Sequence, residues 1–517
     1  MKLYRYSIIV LLFLISGKAI AQNPRQSFSW LTEHVEQFNR ILPQEKAYLH
    51  FDNTGYFMDE TIWFKAYVLS SDSNLLSHKS RLLYVELLDP SGNVVQTRRV
   101  ELKDGTGFGE FRLTNLFIAG FYEVRAYTRY MLNWGDNVVF SRVFPVFRKP
   151  EKEGDYSRTV LDEKEHLSRQ PNYRESDERA DEGHSRNLHV AFFPEGGNLV
   201  EGLESKVAFS VTDGSDSFVE AEGVLRTAEG RVISTVNILR EGRGVFSYTP
   251  GKTPAELVFA DRRGREQRFE LPKAEKMGCV MTVDACGKDS IVVRVASQGL
   301  SRRMAGLCVS YHGSPLLTDS LWIDGQTATH SFPKSALHDG VNQITLFDRK
   351  GRVLSDRMVF VHPRRGFVQN VDVSIDNSVL WPYGKVNLKL RTPEPNTHLS
   401  LSVRDADTQV NGTNLDVATW YLLASDLRGY IHRPAYYLER DDEEHRRAAD
   451  LPNRFYINNY NVMPREKDFR RTLYWNPDVP TGSDSTAVLS FFNNSSCRQL
   501  LISAEGIDKN GKPLLGR

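Results

Sequence analysis

The stretch Gln44–Val68, "QEKAYLHFDNTGYFMDETIWFKAYV", sets the period of the chain and poses its main chemical question. Ala47, Leu49 and Phe51 alternate with polar or aromatic residues, and Ile62, Phe64, Ala66 and Val68 repeat the pattern after a bend. A period of two marks half-buried strands of antiparallel sheet. The same alternation puts His50 and Asp52 together on the side opposite Leu49 and Phe51, which predicts a solvated outer face for both. Asp59 and Glu60 fall where the chain bends, a place Asp favours because it bonds its own backbone. Asp52, Asp59 and Glu60 also offer the loop oxygens of a calcium site. The turn reading is the simpler one, and no metal is expected.

Upstream, the period is different. Trp30, Leu31, Val35, Phe38 and Ile41 recur at helical spacing over Ser27 to Leu42, with Ser27 or Ser29 as the N-cap, so residues 22–43 read as one amphipathic helix. Before it, Lys2 and Arg5 precede the apolar run Ile8 to Ile15, and Ala19-Ile20-Ala21 supplies small residues for cleavage, so 1–21 reads as a secretory signal peptide. The remainder has no apolar run near the ~20 residues a membrane helix needs.

Downstream, the strand rhythm persists, as in Leu83, Val85 and Leu87, then "GEFRL" and "FYEVRAYTRY". A signature recurs at "LLDPSGNV", "LRTAEGRV", "FADRRGRE", "LFDRKGRV" and "GIDKNGKP": Asp or Thr, two mostly polar residues, then Gly. This is hairpin chemistry, with the side-chain oxygen accepting loop N–H groups and Gly taking a positive φ. Lys149 to Asn187 breaks the rhythm with eleven acidic and eight basic residues, the composition of a flexible linker. The expected organisation is therefore a mainly β chain of tandem macroglobulin- or immunoglobulin-like sandwiches over 44–148, 188–272, 273–363 and 364–451, with a small C-terminal β module over 452–517. A helical segment near 414–450 interrupts the fourth, through Val417, Tyr421, Leu422 and Leu427 and the charged run Arg440 to Asp450.

Composition narrows the function. A net charge of +1, with acids and bases interspersed, gives no electrostatic case for nucleic acid. Four cysteines, Cys279, Cys286, Cys308 and Cys497, are too few to staple a chain of this length. One bridge among the first three and buried thiols are equally open readings. No pair of histidines has the zinc-protease spacing with its Glu, no Gly-x-Ser-x-Gly surrounds a serine, "GKT" at 251 lacks its upstream glycine, and "GTGFGEF" is followed by no helix. Ser314 in "YHGSPL" reads as a turn residue.

"AYLHFDNTGYFMDETIWFKAYV", through Asp52, Tyr56, Thr61, Ile62 and Phe64, resembles the opening of the second macroglobulin domain of the alpha-2-macroglobulin family, and "AGFYEVRAYTRY" resembles that domain's closing strand. Where the family carries Pro-Gly in the turn, this chain has Met58-Asp59. "FFPEGGNLVEG", "GVNQITLFDRKGRVLSDRMVF", "YLLASDLRGYI" and "RTLYWNPDV" resemble motifs of bacterial exported proteins that string such domains together, whose longer relatives carry a TonB-receptor plug-like domain. The twenty or so residues Leu451 to Arg471 are too few for a plug. The thioester Cys-Gly-Glu-Gln of trapping macroglobulins is absent; Cys497-Arg498-Gln499 does not match it.

These features lead to a non-enzymatic, exported scaffold of the bacterial cell envelope, periplasmic or outer-membrane-associated, without cofactor, binding a protein partner through strand edges and loops. Trp381, Trp420, Tyr421, Tyr436 and Tyr437 are its candidate contacts; their competing reading is the core of a domain junction. The alternative function is a protease-inhibitor-like protein with Lys149 to Asn187 as bait.

Overall fold

The computed structural model describes residues 28–114, 118–135, 138–150, 152, 156, 188–212, 222–239, 242–260, 266–376, 379–408, 415–427, 434–438, 470–494 and 497–517. The signal-like segment 1–21, nearly all of the charged segment 149–187 and the run Arg440 to Asp450 lie outside them. Among the described residues, no helix is long and apolar enough to cross a membrane.

Helix α1 (Ser29–Ile41) forms where the spacing predicts it, but it is held differently. Its N-cap is Phe28, with no side-chain cap. The Phe28 ring is buried against Met304 and Phe347, edge-on to the latter at 5.2 Å. At the other end the Asn39 amide donates to the Gly313 carbonyl at 2.9 Å. Trp30, Phe38 and Ile41, expected to face a core, are exposed.

Four two-layer sandwiches follow. The first contains β1 (Glu45–Phe51), β2 (Tyr56–Phe57), β3 (Thr61–Ser70), β4 (Leu82–Leu88), β5 (Val94–Glu101), β6 (Thr106–Arg112), β7 (Gly120–Tyr127) and β8 (Phe140–Phe147). They pair as a three-stranded sheet, β1, β3, β6, against a five-stranded one, β2, β8, β7, β4, β5. Leu49, Phe51, Ile62, Phe64, Val85, Tyr122 and Phe144 fill the space between, as the alternation requires.

The second sandwich contains β9 (His189–Pro194), β10 (Ser205–Thr212), β11 (Glu222–Thr227), β12 (Val232–Asn237), β13 (Arg243–Tyr248), β14 (Ala255–Ala260) and β15 (Glu266–Glu270). The third contains β16 (Gly278–Asp284), β17 (Ser290–Gln298), β18 (Arg303–Tyr311), β19 (Ser314–Ile323), β20 (Ala328–Pro333), β21 (Gly340–Phe347) and β22 (Val353–Val361). Each pairs three strands against four. Glu195 joins them by accepting the Val283 N–H at 2.9 Å.

The fourth contains β23 (Gln369–Asn370), β24 (Asp372–Ile375), β25 (Lys385–Arg391), β26 (His398–Asp405), β27 (Thr472–Pro480), β28 (Thr486–Phe492), β29 (Leu500–Ile507) and β30 (Pro513–Gly516). Here the expected separate C-terminal module is corrected. β28 pairs with β25 from Lys385↔Phe492 to Arg391↔Thr486, and β29 pairs with β26. Residues 472–516 thus complete the fourth sandwich; the alternation was read correctly but the partner strands lie about a hundred residues upstream. Between β26 and β27, Val417–Thr419, a π-turn over Trp420–Ala424 and a 3-10 turn over Pro434–Leu438 supply the helical segment.

The hairpin signature forms as its chemistry predicts wherever it is described. Asp348 Oδ1 accepts the N–H groups of Lys350 and Arg352, and Asp508 Oδ1 those of Asn510 and Lys512. Gly351 and Gly511 follow at φ of 76° and 75°. No disulfide joins any of the four cysteines.

Candidate functional site

The side chains that opened the question converge on a buried seam between the first and fourth sandwiches. In β1 and β3, Tyr48 stands opposite Tyr67 and His50 opposite Lys65, all on the side away from the first core. A lone sandwich would leave that side in water. Instead β26 and β29 lie over it, and Tyr48, His50 and Tyr67 retain 0%, 3% and 3% of their surface. The predicted solvated position of His50 and Asp52 is therefore wrong: period two fixes which face a side chain takes, not what covers that face.

Ser400 and Glu505 meet His50 from across the seam. His50 Nδ1 lies 2.7 Å from Ser400 Oγ and His50 Nε2 lies 3.5 Å from Glu505 Oε1. Tyr48 donates its hydroxyl to Glu505 Oε2 at 2.7 Å, Ser503 donates to Oε1 at 3.0 Å, and the Val417 N–H donates to Oε2 at 3.2 Å. Tyr67 donates to the Glu505 carbonyl at 2.9 Å. Burial, and then the nearby Asp416, push the Glu505 carboxyl up to about 7 against the bonds from Tyr48 and Ser503. Burial, with the Arg142 and Arg404 cations, holds His50 well below its ordinary value. A neutral imidazole facing a carboxyl inclined to keep its proton needs little solvation, which lowers the cost of burying so polar a seam.

Serine, histidine and glutamate in one line resemble a nucleophile, its base and an orienting acid. The surroundings give them another task. Ser400 Oγ also lies 2.9 Å from the Tyr67 hydroxyl, and Ser400 is fully buried. With both flanks occupied by side chains from two sandwiches, a substrate carbonyl has no approach to that oxygen.

Asp52 is drawn into the same seam. Its carboxylate accepts from the Tyr56 hydroxyl at 2.8 Å, the Trp63 N–H at 2.9 Å and, from β27, the Thr472 hydroxyl at 2.8 Å. Burial raises it to about 6 despite those bonds. Asp59 turns away to Lys149 at 2.7 Å, and Glu60 accepts the Phe57 N–H and pairs with Arg471 at 3.1 Å. The three carboxylates of the calcium reading thus serve three different partners. No group of three or more potential metal ligands occurs among the described residues. Asp59 takes a φ of 73°, the left-handed conformation for which the Pro-Gly turn would use glycine.

A second junction ties the first and third sandwiches to the helical segment. Asp426 Oδ1 lies 2.8 Å from Lys46 Nζ, and its Oδ2 2.9 Å from His312 Nε2. His312 and Gly313 are the two turn residues between β18 and β19, both at positive φ, and His312 Nδ1 also meets the Ser71 carbonyl. Burial opposes the charge on Asp426, but Lys46 and His312 outweigh it and hold the carboxyl well below its usual range. Burial lowers Lys46.

Of the candidate contact aromatics, Trp420, Tyr421 and Tyr437 are buried and Tyr436 is half-buried against the same core. Trp420 lies 5.2 Å from the Tyr48 ring, and Arg243 donates to the Tyr437 hydroxyl. They form the junction core and are unavailable as surface contacts. Trp381 alone is open, at 68% exposure. Ser400, Glu505, Asp416 and Asp426 were not singled out by sequence; the one signal was the mixture of Tyr and His on an outer strand face, chemistry suited to an interface.

No family model matches the chain. It is 27% identical over 167 residues to an aspartate carbamoyltransferase catalytic subunit of Mycolicibacterium vanbaalenii, covering 31% of this chain and 49% of the enzyme. Solved structures similar to it include an Escherichia coli alpha-2-macroglobulin activated by porcine elastase, at 12% identity and a TM-score of 0.33, covering 92% of this chain and 44% of that one. A Salmonella alpha-2-macroglobulin reacted with methylamine has 12% identity and a TM-score of 0.18, covering 92% and 29%. A tetra-tandem repeat from the extending region of a large adhesion protein has 11% identity and a TM-score of 0.19, covering 92% and 97%. The chain spans less than half the length of the enzyme and of these macroglobulins. Likeness at these levels sets neither family nor activity.

Proposed function

We propose that this chain is a non-enzymatic, exported scaffold of the bacterial cell envelope, which binds a protein partner. One observation carries the reading. The acid and base side chains most suggestive of catalysis, His50, Asp52, Ser400 and Glu505, are spent on fixing the first sandwich to the fourth. A chain that commits its buried polar groups to holding domains in place presents rigid surfaces and loops, where binding residues are best positioned. The signal-like residues before Gln22 support export, and the motifs resembling exported macroglobulin-domain proteins support the envelope.

The test is residue-specific photo-crosslinking from several exposed positions in cells, followed by fractionation. Recovery in the periplasm or outer membrane, with one adduct partner recurring from neighbouring positions, is the expected result. A cytoplasmic protein, or turnover of ester or glycoside substrates whether it is lost or persists in His50→Ala, contradicts the reading. The inhibitor alternative has a separate outcome: cleavage within Lys149 to Asn187 accompanied by loss of the protease's activity.

A further inference from the structure

Every sheet that ends in an open strand risks pairing with another chain, and natural sheets guard their edges with charge, proline or bulges. Most edges here are guarded. β5 carries Arg98, Arg99 and Glu101; β15 carries Glu266, Arg268 and Glu270; β27 carries Pro477 and Pro480. β28 is different. It is the outer strand of the sheet β24, β25, β28, with no strand beyond it among the described residues, and its sequence Thr-Ala-Val-Leu-Ser-Phe-Phe has no charge, proline or glycine.

The surface beside this edge is apolar and aromatic. Val488 and Phe492 are 69% and 60% exposed. In the turn before β25, Trp381 and Tyr383 are 68% and 61% exposed. Tyr383 holds a φ of 59°, a conformation that bulky residues resist and that is kept where the surroundings impose it. The Gly384 N–H bonds the Trp381 carbonyl, and the Asn493 side chain bonds it from the end of β28, so the turn is fastened to the edge.

The first sandwich shows what this kind of face accepts. There β3 and β6 occupy the places of β25 and β28, and Lys65 stands opposite Phe108 as Lys389 stands opposite Val488. The fourth sandwich covers this face along β1 and β3, where Lys65 Nζ meets Asp478 at 3.7 Å, and leaves Phe108 on β6 61% exposed. On the open face, Lys385, Lys389 and Arg391 line β25 at the equivalent outward positions. Resting on the scaffold reading above, we propose that the β28 edge is the docking site for an extended, acid-bearing segment of a partner protein, which joins the sheet as a fourth strand beside Val488 and Phe492. Main-chain bonds supply affinity in this mode, and alternate side chains supply selectivity.

The test uses the full chain and a fluorescent octapeptide of alternating Glu and Val, followed by anisotropy. Binding is expected, weakened at least about tenfold by Val488→Glu, which repels the peptide's acids, or by N-methylating alternate peptide amides, and absent for a Lys–Val peptide. Val488 is mostly exposed and stands opposite Lys389, so V488E retains the wild-type melting curve. No binding, binding indifferent to V488E or N-methylation, or equal binding of the Lys–Val peptide overturns the proposal. So does a dimer seen by sedimentation and lost in V488E, which assigns the edge to a second copy. In-cell adducts from other surfaces with none at Val488 sink the edge while leaving the scaffold standing; no adducts from any surface remove both.

Discussion

Replacing Glu505 by glutamine isolates the proton that the seam retains. The carboxyl sits at about 7 in the fold against an ordinary 4.5, a difference worth about 3 kcal/mol between its two charge states. A group raised on folding contributes stability that is complete below about pH 4.5 and is lost as pH rises through about 7. Glu505's own contribution is therefore full in mild acid and lost toward pH 8, while His50, held neutral, loses its contribution as pH falls below about 6.5, so the difference between wild type and E505Q at each pH isolates the carboxyl. Glutamine keeps an oxygen for Tyr48 and Val417 and offers an N–H toward His50 Nε2, but cannot ionise. It forfeits about 1 kcal/mol of imperfect hydrogen bonding, so E505Q should be no more stable than wild type at pH 5 and about 1–2 kcal/mol more stable at pH 8. Urea unfolding at both pH values, followed by the fluorescence of Trp420 beside Tyr48 and of Trp475, whose ring lies 5.3 Å from that of His50, measures this. A variant destabilised by more than about 2 kcal/mol at pH 8 would refute the reasoning, because it would mean that an ionised Glu505 is what binds the sandwiches.

Other perturbations probe other joints. Asp426→Asn strips the buried Lys46 of its counter-charge and His312 of a carboxylate partner and should cost about 3–5 kcal/mol at pH 7, read by urea unfolding, with the gap to wild type closing as acid protonates Asp426. Gly340 has a φ of 96°, and a Cβ there would come within 2.7 Å of the Leu422 carbonyl, so Gly340→Ala should lower stability by about 1–3 kcal/mol and speed hydrogen exchange over 417–424. Leu422 is fully buried at the same junction, and Leu422→Ala should cost about 2–5 kcal/mol in the same unfolding assay.

The layered architecture was legible because it rests on local rules. Alternation at Ala47, Leu49 and Phe51 fixed an inward face, and Asp-x-x-Gly fixed hairpins at Asp348 and Asp508 whatever surrounded them. The assembly was not legible, because it depends on contacts between residues hundreds of positions apart. Ser400 and Ser402 read as the polar side of an ordinary strand, and nothing in either segment announces that this side meets His50 and Asp52. The same gap misplaced 472–516: β28 shows its period but not that β25 is its neighbour. The outer stripe of α1 failed for a different reason, since Phe28 and Asn39 anchor the helix by its ends and leave Trp30 and Ile41 outside.

A double-mutant cycle on Tyr67 and Ser400 tests the central claim most directly. These residues are 333 positions apart and touch only if the first and fourth sandwiches share a buried polar seam. Tyr67→Phe, Ser400→Ala and the double variant should show a coupling of about 1 kcal/mol in urea unfolding. Strictly additive effects would mean that the two hydroxyls never meet, and that the acid and base groups of β1 remain available for other chemistry.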